Sequence, residues 1–168
     1  MIFAAILAGG IGSRMGLDIP KQFEKIGSKP ILAHSIEKFL KVEEIDKIIV
    51  SSPKDYIKTT EQLVEEYFNN DDRLVVIAGG ETRNDTILNS INYVKSNYND
   101  ADPILITHDA ARIFVSPELI KRSITELEKH DAASPVIPAI DVIFESKKPC
   151  CIKQQGFSCN YRILLPLH

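Results

Sequence analysis

Ile2-Phe3-Ala4-Ala5-Ile6-Leu7-Ala8-Gly9-Gly10-Ile11-Gly12-Ser13-Arg14-Met15-Gly16 is the stretch on which the fold turns. Its apolar opening, with no polar alternation, describes a strand buried on both faces, and such strands belong to parallel sheets covered by helices. The glycines that follow let the backbone approach an anion closely and point N–H groups at it. Arg14 adds a planar guanidinium that grips phosphate oxygens in pairs. Pro20-Lys21-Gln22-Phe23 then brings a second cation, Lys21, toward the same ligand. A dinucleotide fingerprint would need a third glycine three residues after Gly12, where Met15 stands, and an acid closing the second strand, where Ser51-Ser52-Pro53 stands. A P-loop would need Gly-Lys-Ser/Thr, which is absent. A plain tight turn explains the glycines alone but leaves Arg14 and Lys21 without a purpose.

Outward from this loop, strand and helix patterns alternate. A helix opens at Pro30 with Ile31, Leu32, Ser35, Ile36, Phe39 and Leu40 on one face. Asp46–Ser51 reads as the second strand, Tyr56–Phe68 as a helix, and Arg73–Ala78 as the third strand. Thr82–Tyr98 is a helix with Ile87, Ile91 and Val94 inward, and Pro103–Thr107 is the fourth strand. Ser116-Pro117-Glu118 combines an N-cap, a first-turn proline and an early acid, and opens a helix running to His130. Ala132–Ile137 is the fifth strand. The pattern predicts one α/β domain, Rossmann-like, with a mostly parallel sheet covered by helices on both faces. Ligands in such sheets bind at the carboxyl ends of the strands. The glycine loop, Gly79-Gly80 and His108-Asp109 all fall at those ends.

Composition agrees with an ordinary globular chain. Of its 168 residues, 44% are hydrophobic and 26% charged, which supports a real core and a single domain. The net charge of -3 lacks the basic excess of a general nucleic-acid binder. No apolar run has the length of a membrane span, and the first strand lacks the basic start of a signal peptide, so a cytoplasmic protein is expected. Cys150, Cys151 and Cys159 form no CxxC pair and the histidines are scattered, so the thiols read as free and not as zinc ligands. From Ser146 to His168 there is no acidic residue and no clear period.

The loop together with Pro20-Lys21-Gln22-Phe23 resembles the opening of the family that contains methylerythritol phosphate cytidylyltransferase and ribitol-5-phosphate cytidylyltransferase. Gly79-Gly80-Glu81-Thr82-Arg83-Asn84-Asp85-Thr86 and His108-Asp109-Ala110-Ala111-Arg112 match two later segments of that family, in order. The resemblance covers residues 1 to 145. It implies a transferase that moves CMP from CTP onto a polyol phosphate and releases pyrophosphate. By position, Ala8, Gly9, Gly10 and Gly12 would surround the phosphates and ribose of CTP. Arg14 and Lys21 would stabilise charge at the α-phosphorus. Gly80, Glu81 and Thr86 would meet the cytosine, with Arg83 supporting that turn. Asp109 would hold Mg²⁺, and Arg112 the polyol phosphate. The doubled glycine, Gly9-Gly10, leans toward ribitol-5-phosphate, with methylerythritol phosphate as the alternative. The pathway, cell-surface polymer or isoprenoid, follows from that choice. Taken singly, Arg83 reads equally well as an exposed helix-start residue and Asp109 as a turn cap. His108 reads as a packed or hydrogen-bonded residue.

Two departures accompany the resemblance. Asp141-Val142-Ile143 stands where the family has Asp-Thr-Ile, and Ile113 follows Arg112 where the family has Pro. Residues 146–168 show neither the family's dimerising arm, nor its Thr-Pro-Gln segment, nor its further catalytic Lys. The expectation is a changed reading frame or broken gene after Glu145, with the family's homodimer in question and turnover weak or lost. On that account the chain would be a remnant that at most binds nucleotide.

Overall fold

Ile2–Leu7 (β1) sits in the middle of the sheet, as its unbroken apolar run predicts. It pairs in parallel with Lys47–Ser52 (β4) on one side and with Ile104–Asp109 (β6) on the other. The computed structural model describes residues 1–10, 19–136 and the backbone of 162–164. Gly12, Arg14, residues 141–143 and the tail apart from 162–164 lie outside the described residues.

In chain order the remaining elements are two short strands, Lys25–Ile26 (β2) and Lys29–Pro30 (β3), then Ile31–Leu40 (α1). After β4 come Ile57–Phe68 (α2), Leu74–Ala78 (β5) and Arg83–Asn97 (α3). After β6 come Pro117–Leu127 (α4), Ala132–Ala133 (β7) and Arg162–Leu164 (β8). The sheet order is β5-β4-β1-β6-β8-β7, and every pair in it is parallel.

Alternate residues of the strands face two separate cores, as the side-chain period of a strand requires. Ala4, Ile6, Ile48, Val50 and Ile106 pack under α1, α2 and α4, against Leu32, Ile36, Phe39, Leu63, Val64, Ile120 and Leu127. Phe3, Ala5, Ile49 and Leu105 face the other way, onto Ile91 and Val94 of α3. Burying each large apolar side chain contributes about 1.5–3 kcal/mol. The expected α/β architecture with helices on both faces is therefore the one present.

Several boundaries differ from the sequence reading. The fourth strand runs on through His108 and Asp109, because these two residues still pair with Ile6 and Leu7. Pro30 precedes the helix as its N-cap and closes β3, so α1 begins at Ile31. The third helix begins at Arg83, because the Thr82 hydroxyl accepts a hydrogen bond from the Asp85 N–H and the Asp85 carboxylate accepts one from the Thr82 N–H, closing a capping box. The last helix stops at Leu127, short of His130, and starts as read, with Ser116 capping the Leu119 N–H. Among the described residues the fifth strand covers Ala132 and Ala133 alone, and Ile137, its expected end, lies outside them. The β2–β3 hairpin has no counterpart in the sequence reading. Gly27 turns it at φ +66°, where a side chain would be strained.

The hairpin is tied to α1 by charge. Glu37 receives Lys29 at 2.7 Å and Lys41, one helical turn away, at 3.0 Å. Hydrogen bonds from Lys29 and then Lys41 pull the Glu37 carboxyl down from 4.5 to about 2. A carboxyl lowered on folding contributes stability that is complete above its unfolded value and lost as the pH falls through its folded value. Urea titrations of the wild type and Glu37→Gln should therefore differ at pH 6 and converge as the pH falls from 4.5 toward 2. A constant gap across that window would refute the pairing.

Candidate active site

β1, β5 and β6 end at the same edge of the sheet, with β4 between β5 and β1, and the chain leaves each of the three with a tight backbone turn. The sheet hydrogen bonding continues just past the strand ends. Ala8 N–H donates to Ser51 O at 2.9 Å, Ala110 N–H to Leu7 O at 3.1 Å, and Gly79 N–H to Ser52 O at 2.7 Å. These bonds fix the starting direction of the glycine loop, of the Gly79-Gly80 turn and of the Asp109–Arg112 turn. Between the three lies a cavity of about 560 Å³, lined by Gly9, Gly10, Lys21, Gly80, Glu81, Arg83, Thr86, Asp109 and Arg112 among others. Every residue given a site role from the sequence that lies within the described residues lines this cavity, whereas Gly79 and His108 do not.

The first two turns touch backbone to backbone. A Cβ on Gly9 would lie 3.1 Å from Thr86 Oγ1 and 3.5 Å from the Gly79 Cα, and one on Gly79 would lie 3.1 Å from the Gly9 Cα. A side chain at either position would be tight and would need its neighbour to give by a few tenths of an ångström. Thr86 is buried beneath the contact. Its hydroxyl accepts from Gly80 N–H at 3.0 Å and donates to Thr82 O at 2.9 Å. Thr86 therefore holds Gly80 in place from below. Ser90 continues the chain of hydroxyls, donating to Thr86 O at 3.0 Å and meeting Ser51 Oγ at 3.1 Å.

On the opposite wall Asp109 stands between two guanidiniums. Arg83 Nε donates to one carboxylate oxygen at 3.2 Å and Arg112 Nε to the other at 3.1 Å. Burial alone would raise the Asp109 carboxyl. The hydrogen bonds from Arg112 and Arg83, with their charges, outweigh it and hold the group below the usual carboxylate range. Asp109 is thus ionised and joins the turn after β5 to the turn after β6. Arg83 and Arg112 keep their other guanidinium nitrogens for an anion, and Lys21, exposed on the cavity rim, adds a third cation. His108 lies behind this wall with its Nε2 3.1 Å from Arg112 O and its ring 5.0 Å from Phe39. Burial depresses its basicity, so it is a neutral packed residue that steadies the Arg112 turn.

A metal requires less of the protein here than in a structural site. Among the described residues no group of three or more His, Cys, Asp or Glu could enclose a cation. One ionised carboxylate at the cavity wall fits Mg²⁺, which takes one or two carboxylates and fills the rest of its shell with phosphate oxygens and water. Each Asp109 oxygen keeps a lone pair beside its guanidinium contact.

Gln22 was not assigned a role in the sequence reading, although it sits inside the quoted Pro20–Phe23 segment. It is 2% exposed, and its amide reaches the glycine loop. Nothing in the one-dimensional pattern separates it from Lys21 or Phe23, since its contacts depend on tertiary packing.

A family model described as IspD: 2-C-methyl-D-erythritol 4-phosphate cytidylyltransferase matches residues 2–158. The chain belongs to this family. Solved structures agree with the IspD assignment. The 2-C-methyl-D-erythritol 4-phosphate cytidylyltransferase of Francisella tularensis is 29% identical at a TM-score of 0.67, covering 88% of this chain and 62% of that one. The 4-diphosphocytidyl-2C-methyl-D-erythritol synthase of Anaerococcus prevotii is 26% identical at a TM-score of 0.67, covering 84% of this chain and 57% of that one. The bifunctional IspDF of Campylobacter jejuni, at 22% identity and a TM-score of 0.65, shares the fold. The chain thus spans less than two thirds of the length of these IspD structures. The matches name methylerythritol, and the lean toward ribitol-5-phosphate finds no support among them. No helix of the described residues is long and apolar enough to cross a membrane.

Proposed function

We propose that this chain carries the nucleotide site of a cytidylyltransferase that transfers CMP from CTP to 2-C-methyl-D-erythritol 4-phosphate and releases pyrophosphate. The observation that carries the reading is the convergence of the glycine loop, the Gly79-Gly80 turn and the Arg83–Asp109–Arg112 group on one cavity. The acceptor is chosen over ribitol-5-phosphate on the family match.

Both substrates are polyanions, so the reaction needs positioning and charge neutralisation more than covalent help. The backbone of Ala8, Gly9 and Gly10 cradles the phosphates. Lys21 lies on the rim, where it meets the charge that builds up as the pyrophosphate leaves, and Arg14 of the same loop shares that task by resemblance. Gly80 and Glu81 face the cytosine, with Thr86 and Arg83 as their supports. Arg112, oriented by Asp109, offers its free nitrogens to the acceptor phosphate. That phosphate is ionised at neutral pH and attacks the α-phosphorus directly, so no general base is required. Mg²⁺ on Asp109, when bound, would neutralise the triphosphate and favour departure of pyrophosphate.

The test is pyrophosphate release by the whole 168-residue chain with CTP, Mg²⁺ and each acceptor in turn. Release with methylerythritol phosphate alone is expected. Release with ribitol-5-phosphate alone would reverse the acceptor. CTP binding without release would point to the second reading, a chain that binds nucleotide without turning it over.

A further inference from the structure

Gln22 lies in the short helical turn Lys21–Phe23, immediately beside the rim lysine. Its side-chain amide donates to Ala8 O at 2.6 Å and to Gly10 O at 3.2 Å. These are the carbonyls of two successive turns of the glycine loop, and one amide group holds both. A trans peptide points its C=O and N–H in opposite directions. With the Ala8 carbonyl drawn to Gln22, the N–H of Gly9 in the same peptide unit is turned to the other side. Gly9 lines the cavity, and its N–H makes no hydrogen bond with any described residue. The effect on an anion is twofold. Two carbonyl oxygens, each a partial negative charge, are held by the amide, and the Gly9 N–H has no partner among the described residues.

We propose that Gln22 is a positioning residue that sets the peptide orientations of Ala8–Gly10 for phosphate binding and fixes that stretch to the lysine-bearing turn. This deepens the nucleotide-site reading and rests on it. Because the same short segment carries both Lys21 and Gln22, the rim cation and the backbone cradle are held at a constant separation. Without the amide, the buried Ala8 carbonyl loses its donor and the Gly10 carbonyl a partly buried one. An unsatisfied buried carbonyl is costly, so the peptide at Ala8 should turn to find another donor.

The variants are Gln22→Met, which keeps the volume and removes the donor, and Gln22→Glu, which keeps the shape and faces the two carbonyls with oxygens. Calorimetric titration of the whole chain with CTP and Mg²⁺, and with cytidine as the phosphate-free control, reads the effect. Thermal unfolding of each variant establishes the temperature at which it is fully folded. The wild type binds CTP if the nucleotide reading holds, and failure of the wild type would remove that reading independently of Gln22. Given wild-type binding, folded Gln22→Met should bind CTP about ten- to a hundredfold more weakly. Its affinity for cytidine should stay as in the wild type. Unchanged CTP affinity would overturn the proposal, and so would an equal loss for cytidine, which would mark Gln22 as a support for the whole fold. Should Gln22→Met not fold, Gln22→Glu carries the same comparison.

Discussion

Gly80→Ala should abolish measurable CTP binding and lower the melting temperature, because the turn has no room for a single methyl group. A Cβ at this position would fall 2.2 Å from Asp85 Cβ, 2.7 Å from Asp85 C and 2.9 Å from Thr86 N. None of these atoms is the far end of a flexible side chain. Relief must therefore come from the backbone of the first turn of α3, where Asp85 and Thr82 close the capping box. Overpacking of this kind costs about 1–3 kcal/mol, which lowers Tm by about 3–10 °C in a chain of this size. The loss of binding follows from the same displacement. Moving Thr86 N–H moves the hydroxyl that holds Gly80 and that abuts Gly9. Differential scanning calorimetry and titration with CTP read the two effects, and wild-type values for both would show that the turn is looser than described.

Asp109→Asn should cut turnover by about a hundredfold or more, the scale on which a preorganised electrostatic contact is missed in a transition state. The amide keeps the shape of the side chain but loses its charge and one of its two acceptors. Arg83 and Arg112, now 26 and 3 residues from a neutral group, lose their shared anchor. The variant should also need more Mg²⁺ for half-maximal rate. CTP affinity should change less than turnover, since the glycine loop and the Gly79-Gly80 turn are untouched. Steady-state kinetics over a range of Mg²⁺ separates these effects. Turnover close to wild type would exclude Asp109 from the chemistry.

The sheet was legible because its strands are apolar runs. Ile2–Leu7 and Leu74–Ala78 have no other stable place in a soluble chain than between two layers. Their order was not legible, since nothing in β1 says that β4 and β6 will be its neighbours. The β2–β3 hairpin escaped notice for a related reason. Lys25 and Ile26 are exposed, so no apolar alternation marks them, and only Gly27 signals the turn. At the site, glycines and cations announced themselves by type and position. The Arg83–Asp109 pair joins residues 26 positions apart, and the grip of Gln22 on the loop spans 14. Such contacts are set by which strand ends lie side by side, and that information appears only once the sheet is assembled.

The contact of Gly9 with Gly79 has a consequence for how such a site changes its preferences. The segment proposed to take the base and the segment proposed to take the phosphates meet at Gly79 and Gly9 without any side chain between them to absorb a shift. A shift at Gly79 is passed directly to Gly9. A substitution that widens the base pocket also displaces the phosphate cradle, and paired substitutions on the two segments should deviate from the sum of their separate effects. Exchanging cytosine for another base on this scaffold therefore calls for concerted redesign of both segments, and single changes should lose the old nucleotide before they gain a new one.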